Sequence, residues 1–191
     1  GGRWRMGEGG GRLEDWAACG QGGVGKGNQC EAKGVTAGGV PALVKACPHR
    51  ETLNLEGTGV SGLADWAALC PASLKVVNLA RARGVTADGV AALLKACPRL
   101  ETLDLQSTGV SGLADWAALC PASLKEAILR EAKGVTAGGV AALLKACPRL
   151  ETLGLGGTDA GGLADWAALC PASLKEVDLY PAKDVTAGGV A

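Results

Sequence analysis

The residues with the clearest chemical potential lie near the start of the chain, in a glycine-rich segment that contains a lysine. Residues 20–27 read GQGGVGKG and match the spacing G-x-x-x-x-G-K. In a phosphate-binding loop, backbone amides and the lysine surround the phosphates, and a following Ser or Thr holds magnesium. Here Gly27 stands in place of that Ser or Thr, and no apolar strand precedes the segment. We therefore expect a glycine-rich loop and no bound cofactor.

Eight cysteines form a second group of reactive side chains. They form no C-x-x-C pair, and the single histidine, His49, does not complete a zinc-ligand pattern, so we expect no metal site. Six cysteines, at 47, 70, 97, 120, 147 and 170, are separated alternately by 23 and 27 residues. We expect these six to end helices and to line the core as reduced thiols, which fits a cytoplasmic or nuclear location. A disulfide framework is the weaker alternative, because every bond would join different repeats.

Acid–base and nucleophilic catalysis have little support in the sequence. A Ser–His–Asp or Cys–His arrangement would have to use His49, which lies just before a predicted strand and is expected at the surface. Asp65, Asp115 and Asp165 recur beside tryptophans on predicted helices and are expected to be solvated charges. We therefore predict that the protein is not an enzyme.

Charge and hydropathy argue against several other classes. The 19 basic and 19 acidic residues give a net charge of zero, which favours neither nucleic acid nor an anionic membrane as a partner. No apolar run approaches the roughly 20 residues of a membrane-spanning helix, and no signal peptide is visible. Because the chain begins with Gly and stops within a repeated pattern, we expect it to be a piece of a longer protein.

A tandem repeat supplies the elements that must position any site. Residues 61–110 and 111–160 are identical at 38 of 50 positions. The alternating cysteine spacing divides this unit into halves of 23 and 27 residues. Each half contains Cys-Pro, a short alternating Leu segment, a turn and a helix-like stretch. The structural period is therefore about 25 residues.

Each half predicts a short strand followed by a helix. Leu103 and Leu105 alternate with polar residues and should point inward from a strand. Ser111 and Thr86 are the predicted N-caps of the two helices, and Pro98 should stop the longer one. The apolar helix faces are expected to be Leu113, Trp116 and Ala117 in the shorter helix, and Val90, Leu93 and Leu94 in the longer one.

The segment GVTADGVAALLKACPRLETLDL resembles the cysteine-containing leucine-rich repeat, the ribonuclease-inhibitor-like type found in F-box proteins. The resemblance covers roughly residues 31–191. It implies an α/β fold, a right-handed leucine-rich-repeat solenoid of about six and a half repeats. Short parallel strands would line its concave face, and helices would line its convex face.

The expected organisation has three parts. A Gly/Arg-rich tail over residues 1–12 is predicted to be disordered, and residues 13–46 are predicted to form a degenerate N-terminal repeat or cap. In that segment Val24 and Gln29 are expected at inward strand positions. Residues 47–191 would form repeats that alternate between 23 and 27 residues, with the last repeat truncated.

The ninth repeat position departs from the family pattern, which usually has Asn or Cys there. Threonine occupies it in the short halves (Thr58, Thr108 and Thr158), and alanine occupies it in the long halves (Ala82, Ala132 and Ala182). A Thr hydroxyl can hydrogen-bond a loop backbone, whereas Ala cannot. We therefore expect the usual side-chain ladder only in alternate repeats.

The positions that differ between the two 50-residue units indicate a binding surface. All twelve differences lie at 76–83, 88 or 104–110, mostly on a strand or the loop after it. Buried positions are constrained by packing, whereas outward strand positions are free to vary, either by selection for a partner or by neutral drift. The candidate partner-binding patch consists of Asp104, Gln106, Glu126, Ile128, Arg130, Glu176, Asp178 and Tyr180.

This patch predicts a protein–protein interaction scaffold. Tyr and Arg are common interface anchors, and the acidic excess of the patch favours a partner with a basic segment. The family resemblance implies a narrower function, the substrate-recruiting part of a ubiquitin-ligase adaptor. A third hypothesis is a fragment of a nucleotide-binding leucine-rich-repeat receptor, because residues 20–27 resemble the phosphate loop of such receptors. A fourth is an amplified repeat without a dedicated partner. We expect a monomer unless the uncapped C-terminal end associates.

Overall fold

A single parallel sheet runs through the described part of the chain, from Gln29 to Asp178. The computed structural model describes residues 29–31, 41, 44, 49–60, 62–67, 69–160 and 168–180. In these residues seven short strands lie side by side in sequence order. The strands are β1 (Gln29–Glu31), β2 (Thr52–Asn54), β3 (Val76–Asn78), β4 (Thr102–Asp104), β5 (Glu126–Ile128), β6 (Thr152–Gly154) and β7 (Glu176–Asp178). Four helices between the strands are described from end to end: α1 (Leu63–Ala67), α2 (Ala87–Ala96), α3 (Leu113–Ala117) and α4 (Ala137–Ala146).

Neighbouring strands pair in the same register, so residues at equivalent repeat positions form straight rows across the sheet. Thr102 pairs with Glu126, and Leu103 with Ala127. The predicted alternation is confirmed, because Leu103 and Leu105 are 1% and 0% exposed. The apolar helix faces are confirmed as well, since all six of their predicted residues are buried: Leu113, Trp116, Ala117, Val90, Leu93 and Leu94. The core therefore lies between the sheet and the helices.

The longer helices begin and end as their sequence predicts. The Thr86 hydroxyl accepts a hydrogen bond from the Gly89 amide at 3.2 Å, which caps α2. This helix ends at Ala96, directly before Cys97 and Pro98.

The predicted cap of the short helix is wrong. The residue before α3 is Gly112 rather than Ser111, and no side chain caps this helix. Gly112 has a φ of 69°, a left-handed conformation that is easy only for glycine. This turn inserts one residue between Ser111 and the helix, so the serine hydroxyl lies outside the capping position.

Each long helix packs directly on the short helix of the preceding half-repeat. A Cβ atom built on Gly89 would lie 2.7 Å from the Cβ of Leu63, and one on Gly139 would lie 2.8 Å from the Cβ of Leu113. Real Cβ atoms do not come so close. Glycine at these positions therefore lets the helix backbone rest on the leucine side chain.

Charged pairs join the same short and long halves at the edge of the sheet where the strands begin. Lys75 binds Glu51 at 2.9 Å, and Lys125 binds Glu101 at 2.7 Å. In both pairs a lysine of the long half contacts the glutamate of the short half before it. These pairs are partly exposed, so each contributes little to stability. They nevertheless repeat the pairing of halves seen in the helices.

Threonine at the ninth position closes a turn within its own repeat. The Thr58 hydroxyl donates to the carbonyl oxygen of Leu55 at 2.6 Å. Where alanine occupies the position, the backbone turn alone remains, with the Ala82 amide 2.9 Å from the Leu79 carbonyl. The side-chain bond is thus present in alternate repeats as predicted, but it does not link one repeat to the next. Two other threonines make the same bond, Thr108 and Thr158.

The first strand, β1, lies in the segment predicted to be a degenerate N-terminal repeat, but its register differs from the predicted one. Cys30 pairs with the inward-facing Leu53, and Gln29 pairs with Thr52 in an outward row. The prediction that Gln29 occupies an inward position is therefore wrong, because a slip by an odd number of residues exchanges the two faces of a strand. Val24, the loop at 20–27, the tail at 1–12 and residues 181–191 lie outside the described residues. In the part of the chain that the structure describes, no helix is long and apolar enough to cross a membrane.

Candidate protein-binding surface

Three rows of residues form the sheet face that points away from the helices, called the concave face below. The first row lies at the strand starts and contains Thr52, Val76, Thr102, Glu126, Thr152 and Glu176. The second lies at the strand ends and contains Asn54, Asn78, Asp104, Ile128, Gly154 and Asp178. The third, two residues further along, contains Glu56, Ala80, Gln106, Arg130, Gly156 and Tyr180.

All eight predicted site residues lie in these rows, but the structure divides them into two groups. One group lies on β4, β5 and the turns that follow them, and the other lies on β7 and its turn. Between them, β6 and its turn contribute Gly154 and Gly156. Both glycines are buried although they belong to outward rows. The sequence places both at outward strand positions, but the predicted patch leaves them out because they have no side chain.

An ion pair joins the two groups across β6. Nη2 of Arg130 lies 2.6 Å from Oδ2 of Asp178, two strands away. The arginine side chain lies over Gly154, because a Cβ atom built on that glycine would be 3.4 Å from Nε of Arg130. The same Cβ would be 3.3 Å from Cδ1 of Ile128. A side chain on β6 would therefore compete with the arginine for space.

The second row has a structural function as well as a variable sequence. Oδ1 of Asp104 accepts a hydrogen bond from the Gln106 amide at 2.9 Å, and Oδ1 of Asp178 accepts one from the Tyr180 amide at 2.9 Å. These bonds fix the turn that follows the strand. Asn54 and Asn78 make the equivalent bonds. Exchange between Asn and Asp in this row changes the charge and preserves the turn, whereas Ile128 and Gly154 cannot make this bond.

The acidic side chains of the concave face repel one another. Burial raises the pKa of Asp104 above its ordinary value, and the nearby charges of Glu56 and Glu126 act in the same direction. The Gln106 amide and the charge of Arg130 oppose this rise. The ionised form of Asp104 is therefore disfavoured in the folded protein, and a cation on this face would stabilise it.

We expect Asp104→Asn to raise the free energy of unfolding at pH 7 by about 0.5 kcal/mol. Asparagine keeps the turn bond, as Asn54 and Asn78 do, and removes a disfavoured charge. Because the folded-state pKa is raised, the contribution of Asp104 to stability is complete below its unfolded-state pKa and is lost as pH rises. The gain should therefore vanish near pH 3. Urea unfolding at both pH values measures it, and an equal gain at both would contradict this explanation.

Large side chains suited to protein contact border these charges. Tyr180 is 86% exposed at the edge of the described sheet. Ile128 is partly exposed beside Gly154. An exposed aromatic ring and an aliphatic side chain next to carboxylates are typical components of a protein-binding surface.

Four of the six recurring cysteines are buried and free, as predicted. They are Cys70, Cys97, Cys120 and Cys147, whereas Cys170 is free but exposed and Cys47 lies outside the described residues. The Cys70 and Cys97 thiols share a hydrogen bond, which together with burial raises the pKa of Cys70. Among the residues that the structure describes, no group of three or more His, Cys, Asp or Glu side chains could hold a metal ion.

The other residues considered for catalysis are separate from the concave face. His49 is exposed in a turn before β2. Asp65 and Asp115 are exposed in the first turns of α1 and α3, where their charges favour the helix N-terminus. Asp165 lies outside the described residues.

No protein-family model matches the sequence, and no curated protein matches it significantly. Among solved structures, an internalin from Listeria monocytogenes aligns with a TM-score of 0.52 at 15% sequence identity. The alignment covers 75% of this chain. The chain has a leucine-rich-repeat fold. In this solenoid the parallel strands form the concave face and the helices the convex face. The match covers 44% of the internalin chain, so it shows a shared architecture only.

Proposed function

We propose that this solenoid is a non-enzymatic protein-binding scaffold and that its concave face binds a partner through a basic segment. The observation that carries this proposal is the separation of charge. The whole chain is neutral, but the three rows from β2 to β7 have a net charge of −4. Their only cation is Arg130, and their carboxylates are Glu56, Asp104, Glu126, Glu176 and Asp178.

This charge distribution would attract and orient a basic partner. Acidic groups on a concave surface focus the electrostatic potential and accelerate the encounter with a cationic segment. The raised pKa of Asp104 supports this view, because a bound cation would relieve the repulsion among the carboxylates. Ile128 and Tyr180 would then provide apolar contact on either side of β6. Electrostatics would thus favour basic partners, and the anchors would select among them.

The cysteine-containing subtype of the repeat is part of this proposal. Cys97 and Cys147 directly follow the two long helices and are buried. Cysteines at this position support the ribonuclease-inhibitor-like subtype. Free thiols in equivalent positions also support a reducing compartment, the cytoplasm or the nucleus.

A matched pair of triple variants tests the proposal. The concave triple, Asp104→Asn, Glu126→Gln and Glu176→Gln, removes three negative charges from the binding face. The convex triple, Asp65→Asn, Asp88→Asn and Asp115→Asn, removes three exposed charges from the helices. Basic peptides should bind the concave triple about tenfold or more weakly than the wild type, and the convex triple with little change.

Fluorescence anisotropy with a set of labelled lysine- and arginine-containing peptides provides the measurement. Affinity for the wild type should also fall as salt is raised, because exposed charges are screened. Equal losses in the two triples would indicate a general charge effect, and no binding of any basic peptide to the wild type would exclude the proposal. Asp178 is left unchanged so that this test is separate from the next one.

A further inference from the structure

We infer that the concave face contains a guanidinium-binding slot above Gly154, which Arg130 of the chain itself fills until an arginine of the partner replaces it. The slot is bounded by Ile128 and closed at its far end by Asp178. The inference rests on the proposed function and names the side chain that the concave face recognises.

The shape of the slot follows from the glycine in β6. Ile128 and Arg130 belong to the neighbouring strand and its turn, and both reach the space where a Gly154 side chain would lie. An ideal Cβ there would be 3.3 Å from Ile128 Cδ1 and 3.5 Å from Arg130 Cγ. The arginine stem therefore rests on backbone, and its planar end extends across the strand to β7.

The far end of the slot is a carboxylate that the backbone holds in place. Oδ1 of Asp178 accepts the Tyr180 amide, which leaves Oδ2 to accept Nη2 of Arg130 at 2.6 Å. With Oδ1 bonded to the Tyr180 amide, Oδ2 can accept one N–H of a planar guanidinium that lies over Gly154, whereas the ammonium group of a lysine is a point charge without a flat face. The position consequently discriminates between arginine and lysine.

Arg130 fits the slot incompletely, and other carboxylates of the concave face could pair with it outside the slot. Its Nε is buried and has no hydrogen-bond partner, and an unsatisfied buried donor is costly. The side chain as a whole is 42% exposed, so it can leave without unfolding its surroundings. Its charge already acts on Asp104, which lies on the other side of Arg130 from Asp178. A released Arg130 would meet other carboxylates of the concave face.

Exchange of one guanidinium for another keeps Asp178 paired. An arginine from the partner would enter with its own orientation, free of the constraint that leaves Nε of Arg130 unpaired. Arg130 is therefore an internal competitor, and its removal should strengthen the binding of an arginine-containing segment. A simple contact residue would have the opposite effect.

The test compares two short labelled peptides that differ only at their centre, where one has arginine and the other lysine, between flanking lysines. Arg130→Ala should bind the arginine peptide at least about tenfold more tightly than the wild type, and the lysine peptide less than about threefold more tightly. Arg81→Ala is the matched control, because it removes the same charge from an exposed pair with Glu56 outside the slot. It should leave the difference between the two peptides unchanged.

Adding Asp178→Asn to Arg130→Ala should abolish the preference for arginine. Asparagine in this row keeps the turn, as Asn54 and Asn78 show, so a folded double variant is expected. Equal gains for the two peptides in Arg130→Ala would overturn the inference in favour of a general charge effect. Weaker binding of the arginine peptide would overturn it in favour of Arg130 as an ordinary contact residue.

A second measurement keeps the slot testable if neither peptide binds and the proposed function fails. Arg130→Ala with labelled isoleucine methyl groups is titrated with ethylguanidinium and, separately, with ethylammonium. The Ile128 methyl signal should shift and saturate only with ethylguanidinium, and Arg130→Gln serves as a second emptied variant. No saturable shift, or the same shift with both ions, would reject the slot independently of any peptide.

Discussion

Trp116→Ala is expected to lower the free energy of unfolding by about 3 to 5 kcal/mol. Trp116 is among the largest fully buried side chains; it lies in α3 and belongs to the hydrophobic core. Alanine would leave a cavity that a five-residue helix cannot close by moving inward. Because each repeat depends on its neighbours, the cavity should weaken the packing of both adjoining repeats.

Urea unfolding followed by circular dichroism measures this loss without relying on tryptophan fluorescence. Leu119→Ala is the control, because Leu119 lies just after the same helix and is 36% exposed. Leu119→Ala should lower the free energy of unfolding by less than about 1 kcal/mol. Trp116→Phe should cost much less than alanine, since it fills most of the space and removes an indole N–H that is buried without a partner. A phenylalanine variant as unstable as the alanine variant would show that the indole is held by a specific bond.

The second large effect concerns two neighbouring glycines of α4, which should respond to alanine in opposite directions. Gly138 has open space where a Cβ would be, and alanine favours the helix, so Gly138→Ala should raise the free energy of unfolding by up to about 1 kcal/mol. At Gly139 the new Cβ would lie 2.8 Å from Cβ and Cγ of Leu113. Gly139→Ala should therefore lower the free energy of unfolding by about 2 kcal/mol, because the new methyl group overpacks the contact.

Each variant is the control for the other, because the substitution and the helix are the same. The other long helix already supports the difference: Asp88 occupies the position equivalent to Gly138, whereas Gly89 is retained beside it. Thermal or urea unfolding of the two single variants is sufficient. Stabilisation by both substitutions would mean that helix propensity outweighs the contact with Leu113, contrary to the close packing described above.

Local patterns in the sequence predicted most of the fold. The alternation at Leu103 and Leu105 was sufficient for the strand, and Thr86 marked the start of a long helix, because both signals act within a few residues. The cap at Ser111 failed for a related reason. A left-handed Gly112 is allowed by the sequence but not required by it, and one such residue displaces the helix start.

The rows of the candidate surface could be predicted from the sequence, but the ion pair across β6 at its centre could not. Repetition of Asn or Asp at the strand ends was a visible signal for the turn bonds of Asn54, Asn78 and Asp104. The pairing of Arg130 with Asp178 was not visible, because it depends on the distance between strands that are two apart and on the absence of side chains in β6. A comparison that gives weight to side chains undervalues the glycines that make room for them.

The pairing of half-repeats has a consequence for how such a molecule can change in size. Two contacts connect a short half to the long half that follows it: Gly89 packs on Leu63, and Lys75 pairs with Glu51. Gain or loss of a single half would place two halves of the same kind next to each other and break these contacts. Length should therefore evolve in steps of 50 residues, which add two strands and roughly 10 Å of surface. Partners recognised along this axis would have to change in steps of the same length.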